Sequence, residues 1–571
     1  MKHSFMKSLA AAAVVTVALG ACGSSGGSPS SNSSGGSSSP GAAPTGKPLV
    51  IDDTPISPMT DTFNPYSATS TGYVVGAESL YNEPLMVFNT LNPTQPPYYL
   101  LATAYSWSNG GKTLTLKIRP GVKWSDGQPF SASDVAFTFN MIRTVKGLTT
   151  DGTPVPVSAT APNATTAVLT FSQAEYANLF LIGQTYIVPQ HVWTKVTPAT
   201  FTDPKPIGTG PYVLDKFTPQ GFTLKQNPLY WNKANVHVPE ISYPAYTANF
   251  NIVNPLASGQ IDYAGNDIAN VQNVYLAKSP TNHTWYAKAP YLTANNVVSL
   301  IFNVNKAPLN DPAVRQAISY AINRQQLSSQ GETGYELPET STSGLLLPSA
   351  NSYLTPALAN NIPPTGDPAK VTSILTAAGY KKVGGKWSKN GKTISFSISD
   401  PIPYSDYYLD AQDIAHQLNP LGFNVTVNGI SNPAVWDGDV TNGTFDTAIH
   451  WSNQGPTPYQ IYDNWMDDTL TAPTGKPAAG DLGRYKNAAA QAALAAYAAG
   501  ATASAQHAAI SKLENIMNTQ VPVAPLLQGA DWYEFSTRDY VGWESASNPF
   551  MNPTPGSPYL EETVLHLKPA S

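Results

Sequence analysis

The chain of 571 residues carries a formal net charge of -6, and 42% of its residues are hydrophobic. This apolar content supports a large core, and the length predicts two or three lobes rather than one. Only 12% of the residues are charged and no basic stripe is present, which argues against a nucleic-acid partner and against electrostatic attachment to anionic lipid. The single cysteine excludes an intrachain disulfide, so stability must come from the core.

The N-terminus has the pattern of a bacterial lipoprotein signal. Lys2 and Lys7 precede an apolar run over 9–21, which as a helix would be about 20 Å long. That length suits a signal peptide and falls short of the roughly 30 Å core of a bilayer. The run ends in Leu-Gly-Ala-Cys, which resembles the lipobox, so we expect removal of residues 1–21 and acylation of Cys22. The alternative is an ordinary secretory signal followed by an incidental cysteine.

Residues 22–46 consist almost entirely of glycine, serine, alanine and proline. Such a segment has no apolar surface to bury, and it is predicted to be a tether with a reach of roughly 27 Å. Acyl chains on Cys22 would hold the body of the protein at a membrane surface. Beyond the signal, no apolar run reaches the roughly 18 residues of a membrane helix, so the lipid is the expected membrane contact.

The body of the chain alternates between strand and helix signals. Apolar and polar residues alternate over 114–118, which predicts a strand, and a second strand over 423–427 is expected after a hairpin over 381–398. Ser131 and Asp134 match a capping box that opens a helix. Further helices are predicted after Asp311, from Pro368, over 410–418 and over 487–518 with a break near Gly500. The predicted fold class is therefore α/β.

The sequence shows no pattern for catalysis. It has no Gly-x-Ser-x-Gly elbow, phosphate-binding loop or dinucleotide-binding glycine pattern, and its eight histidines lack the spacing of a zinc site. We therefore predict no catalytic residue, no metal site and no cofactor, in a protein that is not an enzyme. The acidic pairs, Asp52 with Asp53 and Asp467 with Asp468, are predicted to be solvated or capping groups.

Binding residues are better represented, because aromatic side chains recur beside neutral polar ones. Flat apolar faces together with amides suit pockets for uncharged or zwitterionic organic solutes. The alternative is that these aromatics line the core and the lobe interfaces. The candidate ligand-binding residues are Asn64, Tyr66, Tyr404, Trp451, Asn453 and Gln454.

Several stretches of the chain together resemble one family. They cover 77–85, 107–127, 133–137, 208–212, 227–231 and 302–324. This set is similar to the extracytoplasmic solute-binding proteins of peptide, nickel and oligosaccharide ABC importers, the dipeptide- and oligopeptide-binding family known as family 5. The resemblance implies a type II periplasmic-binding-protein fold with three lobes, in which a solute is held in the cleft between lobes I and III and leaves chemically unaltered.

The resemblance also implies a division of the chain. Residues 1–21 are then the signal peptide, and 22–46 are the lipidated cysteine and its tether. The remaining ranges are 47–88, 196–300 and 526–571 for lobe I, 89–195 for lobe II, and 301–525 for lobe III.

One position departs from the family pattern. Peptide-binding members usually carry an aspartate a few residues after a Gly-Trp pair, where it pairs with the α-ammonium of the ligand. Here the corresponding residue after Trp451 is Gln454, and an amide in place of the carboxylate costs on the order of 2 kcal/mol. Either another acid such as Asp406 or Asp410 supplies the charge, or the ligand has no free α-ammonium, or the alignment is shifted.

The expected function follows from the signal and the resemblance together. The protein is predicted to be a lipid-anchored, extracytoplasmic, monomeric subunit of an ABC importer that captures a peptide-like or other polar organic solute for a membrane permease. One alternative is an oligosaccharide or glycoside binder of the same fold. The others are a surface lipoprotein enzyme, and a sensor or adhesion protein that kept the fold and lost transport.

Overall fold

The structure is a computed structural model that describes residues 46–92, 95–150, 152–247, 249–347, 349–402, 404–431, 433–500 and 502–571. All of these residues belong to one compact unit. The predicted signal peptide over 1–21, Cys22 and nearly all of the predicted tether lie outside the described residues. Among the described residues, no helix combines the length and the apolar character that crossing a membrane requires.

The described residues contain short and long strands in several sheets. In chain order the strands are β1 (Leu49–Asp52), β2 (Met86–Val87), β3 (Tyr98–Tyr99), β4 (Ala102–Ser108), β5 (Thr113–Ile118), β6 (Ser158–Asn163), β7 (Thr166–Thr170), β8 (Tyr212–Thr218), β9 (Gly221–Gln226), β10 (Glu240–Pro244), β11 (Tyr263–Ala264), β12 (Asn282–Thr284), β13 (Thr293–Phe302), β14 (Leu337–Pro338), β15 (Lys381–Val383), β16 (Lys386–Lys389), β17 (Lys392–Thr393), β18 (Ser395–Pro401), β19 (Asn424–Ile430), β20 (Thr447–Trp451), β21 (Val523–Asp531), β22 (Glu534–Ser536), β23 (Tyr540–Val541) and β24 (Lys568–Pro569).

Helices alternate with these strands, which confirms the α/β class. They are α1 (Thr71–Val74), α2 (Glu78–Tyr81), α3 (Ala132–Thr144), α4 (Leu179–Gly183), α5 (Gln190–Trp193), α6 (Val253–Ala257), α7 (Val271–Val274), α8 (Pro312–Ala321), α9 (Arg324–Gln330), α10 (Pro368–Ala377), α11 (Ser405–Leu421), α12 (Pro433–Asn442), α13 (Pro458–Met466), α14 (Ala488–Ala498), α15 (Ala503–Gln520) and α16 (Leu560–His566).

Three sheets organise the fold, and the names lobe I, lobe II and lobe III are used for the parts built around them. Lobe I has seven strands in the order β12-β22-β11-β1-β10-β9-β8, and lobe II has four in the order β4-β5-β7-β6. Lobe III has six in the order β14-β21-β13-β20-β18-β19. Separate apolar clusters fill these parts, since Leu49 belongs to one, Leu114 to a second and Leu300 to a third.

The helix caps and the helix break that short sequence patterns predict in lobes II and III are confirmed. The Ser131 side chain caps α3 while the Asp134 side chain accepts a hydrogen bond from the Ser131 N–H, so the capping box is complete. Asp311 and Asp367 cap α8 and α10, each with proline in the first turn. The predicted helix over 487–518 is divided into α14 and α15 on either side of Gly500.

One predicted helix begins too late. The helix predicted over 410–418 is longer in the structure, where α11 starts at Ser405 and continues through Pro420 to Leu421. Pro420 lies in the last turn, where it removes one helical hydrogen bond, and the helix stops at Gly422, whose φ of 105° is left-handed. The added first turn carries Asp406 at the edge of the sheet in lobe III.

Two neighbouring connections join the sheets of lobes I and III. One leads from β12 to β13, and the other leads from β21 to β22. Thr293 at the start of β13 pairs with Asp531 at the end of β21, so the connections lie side by side. Such a pair of adjacent crossings permits hinge closure. The predicted limits of lobe III, 301 and 525, fall inside β13 and β21, and the division of the chain into ranges stays a prediction.

Candidate functional site

Strand β20 leads the chain to the edge of lobe III beside the crossing strands. The Ser452 N–H donates to the Val297 carbonyl at 3.0 Å, and the Val297 N–H donates to Ser452 Oγ at 3.0 Å. This pair of hydrogen bonds fixes the end of β20 against β13. Trp451 is consequently 39% exposed, and Asn453 and Gln454 follow it with exposed and half-buried side chains, respectively.

Trp451 is part of a group of five rings, which we call the aromatic panel. Its ring stacks on His450 at 4.5 Å and on Tyr407 at 6.4 Å, measured between ring centroids. Trp436 contacts both Trp451 and Tyr404. Burial lowers the pKa of His450, so this ring is neutral near pH 7. The structure therefore brings the predicted residues Tyr404 and Trp451 into one surface.

The other two predicted residues lie elsewhere, against lobe II. Asn64 is 1% exposed, and its side-chain N–H groups donate to the carbonyls of Pro198 and Phe201. The Tyr66 hydroxyl donates to the Tyr186 carbonyl at 2.5 Å, and its ring meets Trp193 edge to face. These contacts occupy both side chains within the protein, and a ligand role for them stays a prediction that the geometry does not favour.

A cavity of about 360 Å³ lies between lobes I and III. Lobe I contributes Trp285 and Tyr286, and lobe III contributes Tyr335, Leu337 and Gln528. The sequence reasoning missed this cavity, because its lining comes from separate loops that share no local pattern. The remaining lining residues are Leu91, Pro290, Leu292, Thr293, Ala294, Leu347, Ser349, Ala546 and Pro549.

Lobe III presents five carboxyl groups beside the aromatic panel. They are Glu332, Glu336, Asp400, Asp406 and Asp410. Asp406 and Asp410 stand four residues apart on α11 and so share one face of the helix. Glu332 and Glu336 follow α9, and Asp400 lies in β18 just before α11. Asp406 is partly exposed and the other four are buried, so the group is open to solvent on one side only.

Burial without compensating cations controls the charge of these groups. Burial first, and then the neighbouring charge of Asp406, raise the pKa of Asp400 to about 8. The pKa values of Glu332, Glu336 and Asp410 are raised by burial first and then by the charges of the others. Like charges in a shared, poorly solvated space cannot all ionise near pH 7.

Glu336 connects the acidic groups to the aromatic panel and to the crossing strands. Its Oε1 atom accepts a hydrogen bond from the Ala530 N–H at 2.9 Å and from the Tyr407 hydroxyl at 3.3 Å. Its neighbours in sequence, Tyr335 and Leu337, line the cavity. Glu336 itself does not line the cavity, and its hydrogen bond with Tyr407 shows that it contacts α11.

Carboxyl groups of lobe I continue this group across the interface between the lobes. Burial first, and then the charge of Asp406 in lobe III, raise the pKa of Asp267 in lobe I to about 7. Asp267 and Asp531 in turn raise the pKa of Glu534, and Asp53 raises that of Asp531. We call the nine groups the acidic series: Asp53, Asp267, Glu332, Glu336, Asp400, Asp406, Asp410, Asp531 and Glu534.

The prediction that Asp52 and Asp53 are solvated or capping groups is wrong. Asp52 is 4% exposed, and burial raises its pKa to about 6. Burial and the charge of Asp52 raise the pKa of Asp53 to about 7. Asp52 is buried because β1, which ends at this residue, lies inside the seven-stranded sheet, between β10 and β11. Asp53 follows β1 and is half-buried. The sequence analysis named Asp406 and Asp410 as possible charge donors, and it missed the other members of the series.

Several acceptor atoms of the series have no hydrogen-bond partner. Both side-chain oxygens of Asp410, and one oxygen each of Glu332 and Glu336, are buried and unpaired. In the part of the chain that the structure describes, no member of the series forms an ion pair with lysine, arginine or histidine. The same described part contains no group of three or more His, Cys, Asp or Glu side chains arranged to hold a metal ion.

The fold and the interlobe site define a class, the binding proteins of type II periplasmic fold. The model for the bacterial extracellular solute-binding proteins of family 5, in its middle region, matches residues 96–472, more than half of the chain. The chain belongs to this family, and its fold class and the predicted family are thereby confirmed.

Curated relatives carry solute-binding names. The glutathione-binding protein GsiB of Salmonella typhi is 28% identical over 328 residues, covering 56% of this chain and 59% of that protein. The match therefore spans less than two thirds of that relative's length. The nickel-binding periplasmic protein of Escherichia coli is 26% identical over 393 residues, covering 66% of this chain and 70% of that protein.

Solved structures support the fold over nearly the whole chain. A periplasmic oligopeptide-binding protein of an oligopeptide ABC transporter from Thermotoga maritima, bound to mannohexaose, aligns with a TM-score of 0.79 at 24% identity. The alignment covers 92% of this chain and 99% of that one. At this identity the likeness establishes the fold and leaves the ligand open.

The raised pKa values predict that stability falls as the pH rises. Each of these carboxyls holds its proton more tightly in the folded protein than in the unfolded chain, where the pKa is about 4. Their contribution is fully present below about pH 4 and is lost as the pH rises through the folded values, about 7 for Asp267 and about 8 for Asp400. Calorimetry of the ligand-free protein should show a melting temperature that decreases from about pH 5 to about pH 9.

Two variants test the source of this pH dependence. Asp410→Asn removes a buried member of the acidic series and should flatten the decrease. Asp61→Asn removes an exposed carboxyl outside the series and should leave the slope unchanged. A melting temperature that stays level or increases over this range in the parent protein would contradict the raised pKa values.

Proposed function

We propose that the protein captures a peptide-like or other polar organic solute between lobes I and III and delivers it to the permease of an ABC importer. The observation that supports this proposal is the interlobe site. The cavity is lined at the crossings by Thr293 and Ala294. On the lobe III side of the same crossings, Trp451 pairs with Val298 and Glu336 accepts a hydrogen bond from Ala530. A binding protein that closes on its solute needs these two features together, a lined cleft and a hinge.

Within this proposal, four of the sequence-predicted residues contact the solute. Tyr404 and Trp451 offer ring faces in the aromatic panel, and Asn453 and Gln454 extend beyond it with neutral hydrogen-bonding groups. The proposed role of Asn64 is structural, since its contacts hold the segment between lobes I and II. The solute leaves without a bond made or broken, so the protein is not an enzyme.

The proposal places the protein outside the cytoplasm as a lipid-anchored monomer. Its support is the sequence around Cys22, which has the order expected of a lipoprotein signal followed by a Gly/Ser-rich segment. The family description is of extracellular proteins, which agrees with export. We also propose the lobe ranges given by the resemblance, with the hinge at the crossings between β12 and β13 and between β21 and β22.

An oligosaccharide is the second candidate ligand. Exposed Trp451 offers a flat face of the kind on which a sugar ring stacks, and Asn453 and Gln454 add neutral donors and acceptors. The structural neighbour from Thermotoga maritima holds mannohexaose, although its name describes an oligopeptide-binding protein. The acidic series does not favour this candidate, because sugars carry no positive charge to offset it.

Titration with peptide and sugar mixtures tests capture. A true ligand should raise the melting temperature saturably, and mass spectrometry of the released ligand should show an unchanged mass. Trp451→Ala should weaken binding by about tenfold, since one aromatic contact contributes roughly 1–1.5 kcal/mol. Phe250→Ala, at a ring that is 77% exposed, is the matched control and should bind as the parent does. Conversion of the ligand into a product would contradict the proposal.

Fractionation of cells tests the lipid anchor. The parent protein should be recovered with membranes, and mass analysis should find acyl chains on the residue numbered Cys22. Cys22→Ala removes the acylated thiol, so this variant should be released into the soluble extracytoplasmic fraction or retain its signal. Equal distribution of the parent and the variant, with an unmodified thiol in the parent, would contradict lipid anchoring.

A further inference from the structure

The acidic series is a site rich in acceptors that lacks donors. Asp410 is 0% exposed, and neither of its side-chain oxygens has a hydrogen-bond partner. An unpaired carboxyl in such surroundings is costly, typically several kcal/mol when ionised. A ligand that supplies donors and positive charge would remove this cost.

A neutral side chain shows the same need for a donor. Asn266 is 2% exposed and its N–H group donates to Asp52 Oδ2 at 2.7 Å, while its Oδ1 atom has no partner. It lies directly before Asp267 in the chain, at the lobe I end of the series. Because Asn266 is an amide, its unpaired acceptor does not follow from the clustering of acids.

The aromatic panel adds a second mode of recognising positive charge. The Tyr407 hydroxyl is bonded to Glu336 while the Tyr407 ring stacks on the exposed ring of Trp451. Ring faces next to carboxylates attract ammonium and guanidinium groups through cation–π interactions, worth about 0.5–2 kcal/mol each. The panel and the series therefore lie side by side, and exposed Trp451 and partly exposed Asp406 are members that an incoming cation can reach.

The spread of the series favours an extended ligand over a metal ion. Its members run from Asp53 in lobe I to Asp400 in lobe III, through Asp267 and Asp406 at the interface. No set of side chains in the described ranges has the close spacing of a metal site. A chain with protonated nitrogens at intervals can pair with several carboxyls in turn, and each ammonium brings three donors and no acceptor.

Two of the carboxyls pack directly against the backbone of a glycine. A Cβ atom on Gly331 would lie 2.1 Å from Asp410 Oδ1, and one on Gly265 would lie 2.7 Å from Asp53 Oδ1. Any larger residue at these positions would displace the carboxyl group. Backbone therefore approaches both carboxyls without covering them by a side chain.

We propose that the cleft recognises an organic ligand that carries two or more protonated nitrogens along a chain, as a polyamine or a short basic peptide does, through the acidic series and the aromatic panel. This inference rests on the proposed function and specifies its ligand. The cation lies across the interface, where it neutralises Asp406 of lobe III and Asp267 of lobe I together. It thereby favours the closed form over the open form, because only the closed form offers it both lobes.

Calorimetric titration of the full-length protein with spermidine and with trilysine tests this inference. Both should bind saturably at about pH 7, whereas trialanine and maltotriose should bind at least tenfold more weakly. Binding should release protons, since a nearby cation stabilises the ionised carboxyls, and titrations in two buffers of different ionisation heat measure that release. Binding of spermidine alone would identify a polyamine, and binding of trilysine alone a basic peptide, and each supports the inference.

Variants locate the binding to the series. Asp410→Asn and Glu336→Gln should each weaken the binding of trilysine or spermidine at least tenfold. Glu514→Gln is the matched control, because it removes another buried carboxyl of lobe III, one that pairs with Thr355, and it should leave this binding unchanged. If a variant at a buried member of the series fails to fold, two other measurements test whether the series binds the cation. They are the proton release of the parent protein and the binding by Asp406→Asn, which changes a partly exposed side chain.

The outcomes separate this inference from the proposed function. Tight binding of trialanine or maltotriose with no binding of either cation would overturn the inference and leave solute capture standing. Cation binding without proton release and with no effect of Asp406→Asn would also overturn it. Absence of binding by any solute, together with conversion of a solute to product, would overturn the proposed function itself.

Discussion

The main constraint on the structure is the group of like-charged carboxyls at the place where lobes I and III meet. Asp267 on one side and Asp406 on the other lie close enough that the charge of Asp406 raises the pKa of Asp267. Within the described part of the chain, neither carboxyl forms an ion pair. Carboxyls in such a place can be neutral, or paired with an incoming cation, or separated by opening of the lobes. Ligand binding and lobe closure are therefore coupled through the charge state of the interface.

The fold supplies the movement that this coupling needs. Lobe I and lobe III are linked by two crossings that lie side by side, with Thr293 paired to Asp531. Asp531 is itself a member of the acidic series, so part of the charge stands at the hinge. A ligand that binds both lobes stabilises closure by no more than its difference in affinity between the closed and open forms.

The sequence could predict what is encoded locally and missed what is assembled by the fold. The capping box of Ser131 and Asp134 was predictable because four consecutive residues define it. The acidic series was not, since its members come from distant parts of the chain, among them the segments after β1 and α9, strands β18, β21 and β22, and helix α11. Asp53 was interpreted as solvated because its polar sequence neighbours give no sign that β1 lies inside a sheet.

The most direct test measures the distance between lobes I and III against pH and ligand. Spin labels at Phe250→Cys and Val383→Cys, both exposed positions, report this distance in a Cys22→Ala background that lacks the chain's single cysteine. The account predicts a short distance at about pH 5, a longer one at about pH 8.5, and a return to the short distance at about pH 8.5 with trilysine. A distance that is the same under all three conditions would contradict it.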